Sequence, residues 1–221
     1  MINFIDTNVL IGYCILADNW HDQCSIIDKT ANIWLSDKVL KEWSKREDKI
    51  IRERESLLLR HRQETRKRFR DTIEPDHRDR LINSVPENIK QFMTRFYLEQ
   101  ISYPISKDEL CNQIDCLISN LKFEKISRFA CLVGRCQSHI RSSEYPQENS
   151  FLKPCVHNGD GDRGIVLDAH DLILSKPCEK LRLLTLDNKL SDECKEKILK
   201  YLKISEIKDL KYCPPSMYHT S

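Results

Sequence analysis

Ile2-Asn3-Phe4-Ile5-Asp6-Thr7-Asn8-Val9-Leu10 is the stretch on which the reading of this chain turns. A short apolar run stops at an acid, and Thr7 or Asn8 can then cap a helix running through Val9 to Ala17. Outward from it, His21 to Ala31 fits a second helix, and Ile33-Trp34-Leu35 a strand ended by Ser36, a good N-cap. The next helix sets Val39, Leu40 and Trp43 on one face, with Glu42 beside them. Strand, acid, helix, strand, cap, helix is βαβα order, which predicts an α/β fold with a parallel sheet.

The far end of the chain repeats the theme. Ile165 to Ser175 has helical periodicity, and Lys180 to Leu186 is a leucine-rich buried strand that stops at Asp187. Ser191 to Leu202 reads as a helix and Ile204 to Ile207 as a last strand, giving a sheet of about four or five strands. Ser142 to Gly164 reads as a polar loop and residues 212–221 as an irregular tail.

Between these ends the character changes. Residues 45 to 70 hold eleven Lys or Arg against five acids, without proline or glycine, and predict a long solvated helix. Further helices are expected at Glu87–Gln100, Ser106–Lys122 and Glu124–Arg141, the second opened by the capping box Ser106-x-x-Glu109. The expected organisation is a core in two parts, 1–48 and 146–211, interrupted by an all-helical insertion over 49–145.

Of 221 residues, 40% are hydrophobic and 32% charged, enough for a sizeable core. The 36 Lys plus Arg nearly balance 34 Asp plus Glu. Only five glycines occur, and none falls in a GxGxxG or GxxxxGK[ST] pattern, which argues against a dinucleotide or P-loop phosphate cradle. The longest apolar run, Val9 to Ala17, falls far short of the roughly 20 residues that span a bilayer, and no secretory signal pattern opens the chain, so no membrane partner and a cytoplasmic location are expected. The ten cysteines form no CxxC pair and are expected to be reduced, buried small hydrophobes.

The informative residues are the acids at strand ends. Ligands of an open parallel sheet bind outside the carboxyl ends of its strands, where Asp6 and Asp187 should both point. Glu42, Asp168 and Asp171 add to them. Carboxylates gathered in one crevice raise each other's pKa unless a cation sits among them, and Mg²⁺ or Mn²⁺ is the hard, oxygen-seeking choice. Such an ion activates water and steadies a phosphodiester under in-line attack. The basic stretch, sharpest at Arg60, Arg62, Arg66, Lys67, Arg68 and Arg70, suits a phosphate backbone without base reading. No Ser or Cys has a matched base, so covalent catalysis is not expected.

Four segments resemble the PIN-domain nucleases, a family that includes the toxins of VapBC-type toxin–antitoxin pairs. They are INFIDTNVL (2–10), LSDKVLKEW (35–43), VLDAHDLIL (166–174) and LLTLDNKL (183–190). The resemblance implies a PIN-like three-layer sandwich, Mg²⁺ or Mn²⁺ dependence and cleavage of single-stranded or structured RNA. It makes Asp6, Glu42, Asp168 and Asp187 the catalytic and metal-holding acids, with Asn8 and Thr185 as polar helpers. Asp168 is preferred as third acid, nineteen residues before Asp187; Asp171 lies one turn further on, and Asp162 substitutes if the helix starts earlier. The long insertion is absent from the compact toxins, and it is expected to position RNA or dock a partner, an antitoxin protein or a second copy of the chain among them.

Two alternatives accompany this expectation. One is a catalytically inactive PIN-like protein that binds nucleic acid without cutting it; the other is a flap-endonuclease-like DNA nuclease. Lesser candidates are set aside. Cys131, Cys136, His139, Cys155 and His157 lack the spacing of a zinc knuckle. Asp160-Gly161-Asp162 lacks the sixth-position glycine of a calcium loop, where Ile165 stands. His170 is expected on a helix surface.

Overall fold

The computed structural model describes residues 1–154, 156 and 160–212, the side chains of Asp160 and Glu193 excepted. Cys155, His157 and residues 213–221 of the expected tail lie outside the described residues. The chain runs β1 (Ile2–Ile5), α1 (Thr7–Cys14), α2 (His21–Cys24), β2 (Ile33–Ser36), α3 (Asp37–Arg68), β3 (Thr72–Ile73) and α4 (Arg78–Ser84). It continues through α5 (Lys90–Gln100), β4 (Ile105–Ser106), α6 (Lys107–Arg135), β5 (Gln137–His139), α7 (Pro146–Leu152) and α8 (Asp160–Leu174). It ends with β6 (Leu181–Thr185), α9 (Lys195–Tyr201) and β7 (Glu206–Asp209).

The fold is α/β with a central parallel sheet of five strands in the order β5-β2-β1-β6-β7. All four residues of β1 are buried, the near-continuous apolar pattern of a strand covered on both faces. Its neighbours hold it in register, Phe4 opposite both Trp34 and Leu183, and Ile5 opposite Leu184. From β1 the chain passes to β2 and β5 on one side, then returns across the sheet to β6 and β7 on the other. Right-handed crossovers therefore send the α1–α2 connection to one face and the α8 and α9 connections to the opposite face. The arrangement is consistent with a helix–sheet–helix sandwich, and α8 packs on β2 and β6. The order reverses between β1 and β6, and that reversal is where a doubly wound sheet opens a crevice.

Two compact units divide the chain. One comprises 1–13, 22–46 and 130 onward, and carries the five-stranded sheet; the other comprises 14–21 and 47–129. In the second unit, Asn19 binds the Glu87 carbonyl (2.7 Å) and the Gln91 amide (3.1 Å), and Asp18 meets Arg54 at 3.1 Å, which ties the short N-terminal segment to the helices. His61, Tyr97, Leu58, Met93 and Ile114 lie in its interior, with His61 Nε2 and the Tyr97 hydroxyl 2.6 Å apart.

Several expectations need correction. The 49–145 stretch is not all helical: β3 and β4 pair antiparallel within it, and β5 joins the main sheet. Gln137-Ser138-His139 is short and polar because it is an outer strand with little to bury. The helices expected from 37 and from 45 are one helix, α3, and those expected over 106–141 are one helix, α6, ending at Arg135. The 142–164 loop holds α7 and the start of α8. Among the eight described cysteines, Cys14, Cys24, Cys111 and Cys194 are buried, but Cys116, Cys131 and Cys178 are exposed. No helix of the described residues is long and apolar enough to cross a membrane.

Candidate functional site

The sequence puts Asp6 at the junction of two regular structures, and each claims part of its backbone. Its amide donates to the Leu184 carbonyl (3.0 Å), the last rung between β1 and β6, while its carbonyl accepts from Val9 and Leu10 at 3.1 Å as α1 begins. The side chain, 2% exposed, lies at the β1/β6 reversal. Burial pushes its pKa up to about 7, and the carboxylates of Asp162 and Asp187 push the same way. Hydrogen bonds from the Thr185 hydroxyl (2.8 Å) and from the Thr7 backbone oppose the rise.

Thr185, fully buried at the end of β6, links two acids. Its hydroxyl accepts the Asp187 amide at 2.9 Å, so its proton is left for Asp6. Asp187 then turns back to accept the Lys189 amide at 2.8 Å. Thr7 performs a parallel service, its hydroxyl donating to Glu42 Oε2 at 3.0 Å while Arg46, one helical turn on, holds Oε1 at 2.7 Å. Asn8 is half-buried, and Thr7 beside it reaches a site acid.

The structure brings Asp162 into this group. The α8 helix begins at Asp160, so Asp162 stands in its first turn, where the helix's positive end favours an anion. Burial raises its pKa, and Asp187 and Glu42 raise it further, against Arg46 and Lys189. A Cβ on neighbouring Gly161 would sit 4.0 Å from Glu42 Oε2, which shows how closely α8 approaches α3 here. Asp6, Asp162 and Asp187 thus act on one another electrostatically, and Glu42 acts on Asp162.

Asp168 and Asp171 are engaged elsewhere. Asp168, 4% exposed, accepts from the Ser36 hydroxyl and lies 3.4 Å from Arg141 Nε. Burial raises its pKa, while Ser36, Arg141, Lys38 and His139 lower it. Ser36 also accepts the Val39 amide at 3.2 Å, the N-cap of α3, so one hydroxyl joins that cap to α8. Asp171 accepts from His139 Nε2 (2.8 Å), from the Ser142 amide and hydroxyl (3.1 and 2.7 Å) and from the Tyr145 hydroxyl (2.7 Å). These bonds outweigh its burial and hold its pKa below the usual carboxylate range. Asp171 is therefore the clasp of segment 139–145. His170, expected at the surface, is instead buried: it accepts the Lys203 amide at 3.1 Å and packs edge-on against Tyr145.

Two clefts flank the acids. One of about 440 Å³ is lined by Lys38, Lys41, Lys45 and Glu42 of α3, with Gly161 opposite. The other, about 330 Å³, is lined by Lys38, Arg141, Glu144, Asn149, Arg163 and Gly164. Glu42 + 4 is the one local signal that could have pointed to Arg46; Lys38, Arg141 and Arg163 come from three distant segments. Of the expected backbone-binding residues, all in the helical unit, Arg60, Arg66, Lys67, Arg68 and Arg70 are exposed. Arg62 is instead paired with Asp115 at 2.6 Å.

Among the described residues, no three His, Cys, Asp or Glu side chains already stand together as a metal cage. The donors nonetheless fit a hard divalent ion, which keeps much of its water and uses one or two carboxylates rather than an all-protein enclosure. The rise of Asp6 to about 7 comes first from burial and then from the Asp162 and Asp187 carboxylates, and a bound cation would counter both. No protein-family model, curated protein or solved structure matches the chain.

Proposed function

We propose that this protein is a Mg²⁺- or Mn²⁺-dependent endoribonuclease of PIN-like architecture. The observation that carries the reading is the gathering of Asp6, Asp162, Asp187 and Glu42 at the reversal of strand order between β1 and β6. The four sequence segments similar to PIN-domain nucleases support it, as do the exposed cations of the helical unit, which suit an RNA backbone.

Asp6, Asp162 and Asp187 would hold the ion, with Glu42 joining them or orienting the attacking water. Asp162 takes the third position in this proposal because Asp168 is committed to Ser36 and Arg141. When bound, the ion supplies activation of water near neutral pH and stabilisation of charge on the phosphodiester. The chain's own work is to prepare the site. Thr185 fixes the Asp6 carboxylate and the Asp187 loop together, Thr7 and Arg46 fix Glu42, and Asp6 would give up its proton to solvent on holding the ion.

The test is cleavage of a mixed single-stranded RNA, and of DNA of the same sequence, with Mn²⁺ or Mg²⁺. Wild type is compared with Asp6→Asn and Asp162→Asn after circular dichroism has shown all three folded. Metal-dependent RNA cutting reduced at least about a hundredfold in both variants is expected. RNA binding without metal-stimulated cutting would overturn the reading in favour of a non-cleaving platform, and preferred cutting of DNA would overturn its substrate class.

A further inference from the structure

The two clefts beside the acids meet at one side chain. Lys38 lines the first with Glu42 and Gly161, and lines the second with Arg141, Arg163 and Gly164. The second cleft is not accounted for by the acid cluster. It draws one cation from the first turn of α3, one from the segment after β5 and one from α8, against a single lining acid, Glu144. Three cations from separate segments converging on one concavity give it a positive potential, which draws anions.

Asp168 stands behind Arg141 at 3.4 Å. Asp168 meets the guanidinium through Nε, which leaves the two terminal amino groups for a second, forked anion. Arg163 is anchored by Nη1 to the Val156 carbonyl at 2.9 Å, so its head is held at the cleft rather than swinging in solvent. Lys38 is held too: a Cβ at Gly164 would collide with its outer carbons and ammonium, so its stem lies directly over the α8 backbone at that glycine. Asn149, in the same wall, has a side-chain oxygen that is buried without a hydrogen-bond partner. An amide in that position offers a donor or an acceptor to an incoming group once turned over.

We infer that the Lys38–Arg141–Arg163 cleft is a phosphate-binding subsite, taking a phosphate of the RNA strand one or more nucleotides away from the bond cut at the acid cluster. The inference rests on the nuclease reading for the identity of the strand, though not for the presence of the anion site. Lys38 is the hinge of the arrangement, because it faces both clefts and so marks the path of the strand from one to the other. The source of the phosphate is either the strand's terminal monoester or an internal diester, and both present the same oxygens to the fork of Arg141.

The experiment measures binding of a short fluorescent oligoribonucleotide by anisotropy in EDTA, with no divalent ion present, in three forms: 5′-phosphorylated, 3′-phosphorylated and unphosphorylated at both ends. Wild type, Lys38→Ala, Arg163→Gln and Gly164→Ala are compared. Gly164→Ala keeps every charge and only displaces the Lys38 stem. Each variant is expected to bind about five- to tenfold more weakly, and Lys38→Ala to lower the slope of log K against log salt by about one. Inorganic phosphate at millimolar concentration should compete in wild type and not in Lys38→Ala. Preference for one phosphorylated end identifies the terminal monoester; equal binding of all three forms with the same losses identifies an internal diester. Unchanged affinity and salt slope in all three folded variants would overturn the subsite, whatever the cleavage assay shows. Weakened binding in the variants alongside a wild type that never cleaves would sustain the subsite and sink the nuclease reading instead.

Discussion

Ionised Asp6 takes its bond from Thr185 in one direction only. The carboxylate has no proton to give, so Thr185 Oγ1, while accepting the Asp187 amide, donates its single proton to Asp6 Oδ2, 2.8 Å away. A buried acid that is driven upward by its surroundings therefore depends on one neutral hydroxyl for part of its remaining acidity.

Thr185→Val removes that proton and keeps the volume. The Asp6 pKa should move above its present value of about 7, while Thr185→Ser should leave it close by. A carbon-13 carboxyl titration of Asp-labelled protein reads this directly. Metal-stimulated cleavage should fall about 10- to 100-fold in the valine variant. Identical titration curves for valine and wild type would show that the hydroxyl does not act on Asp6.

Asp6 also sets a stability slope. Its folded pKa of about 7 lies above the roughly 3.9 of an unfolded Asp, so the folded state holds the proton through that window. Stability from this group is full below about pH 4 and is lost as pH rises through about 7, by roughly 4 kcal/mol at most. Asp6→Asn should therefore melt higher than wild type at pH 8 and show a flatter pH profile. Mn²⁺ should raise the wild-type midpoint at pH 8 more than at pH 5, and should leave Asp6→Asn unmoved. An equal Mn²⁺ shift in both proteins would remove Asp6 from the ion's neighbourhood.

His61 gives the opposite slope in the helical unit. Burial lowers its pKa to about 4, against a nearby Glu64 that raises it, and its Nε2 lies 2.6 Å from the Tyr97 hydroxyl. The folded state keeps the ring neutral, so stability from this group is full above about pH 6.5 and is lost as pH falls toward 4, by roughly 3 kcal/mol. His61→Phe should abolish this acid-side loss while costing some stability at pH 7, because the Tyr97 hydroxyl loses His61 and keeps only Thr65 as a side-chain partner. Urea denaturation at pH 4.5, 5.5 and 7 checks it; a variant with the wild-type slope would assign the loss to another group.

Asp162→Asn and Asp171→Asn should fail in different ways. Asp171 accepts four hydrogen bonds from His139, Ser142 and Tyr145, and weakening them should cost about 3 kcal/mol. Amide exchange over 137–145 should accelerate in that variant. Asp162, surrounded by other acids, should gain stability when neutralised at pH 8 and lose metal-stimulated cleavage. Reversal of these two outcomes would return the third acid to the middle of α8.

The ends of β1 and β6 were legible because an apolar run closed by an acid is a local pattern, and Asp6 and Asp187 stand where it put them. The start of α8 was not. Gly161 and Gly164 among polar neighbours read as loop, yet both lie in α8, and at Gly164 the missing side chain makes room for the Lys38 stem. Starting α8 at Ile165 is also what set Asp168 ahead of Asp162 in the sequence. The strand β5 escaped because three polar residues carry no alternation to detect, and its pairing with β2 is a long-range fact. His170 looked like a surface residue because helical periodicity cannot foresee the Lys203 amide and Tyr145 that enclose it.

The two outermost strands differ from the three within. β5 is three polar residues long and β7 reads Glu206-Ile207-Lys208-Asp209. A brief ribbon on one side and a charged one on the other give a visiting strand little to zip against. The sheet is thereby guarded against growing by accretion, molecule upon molecule, into fibrous aggregates.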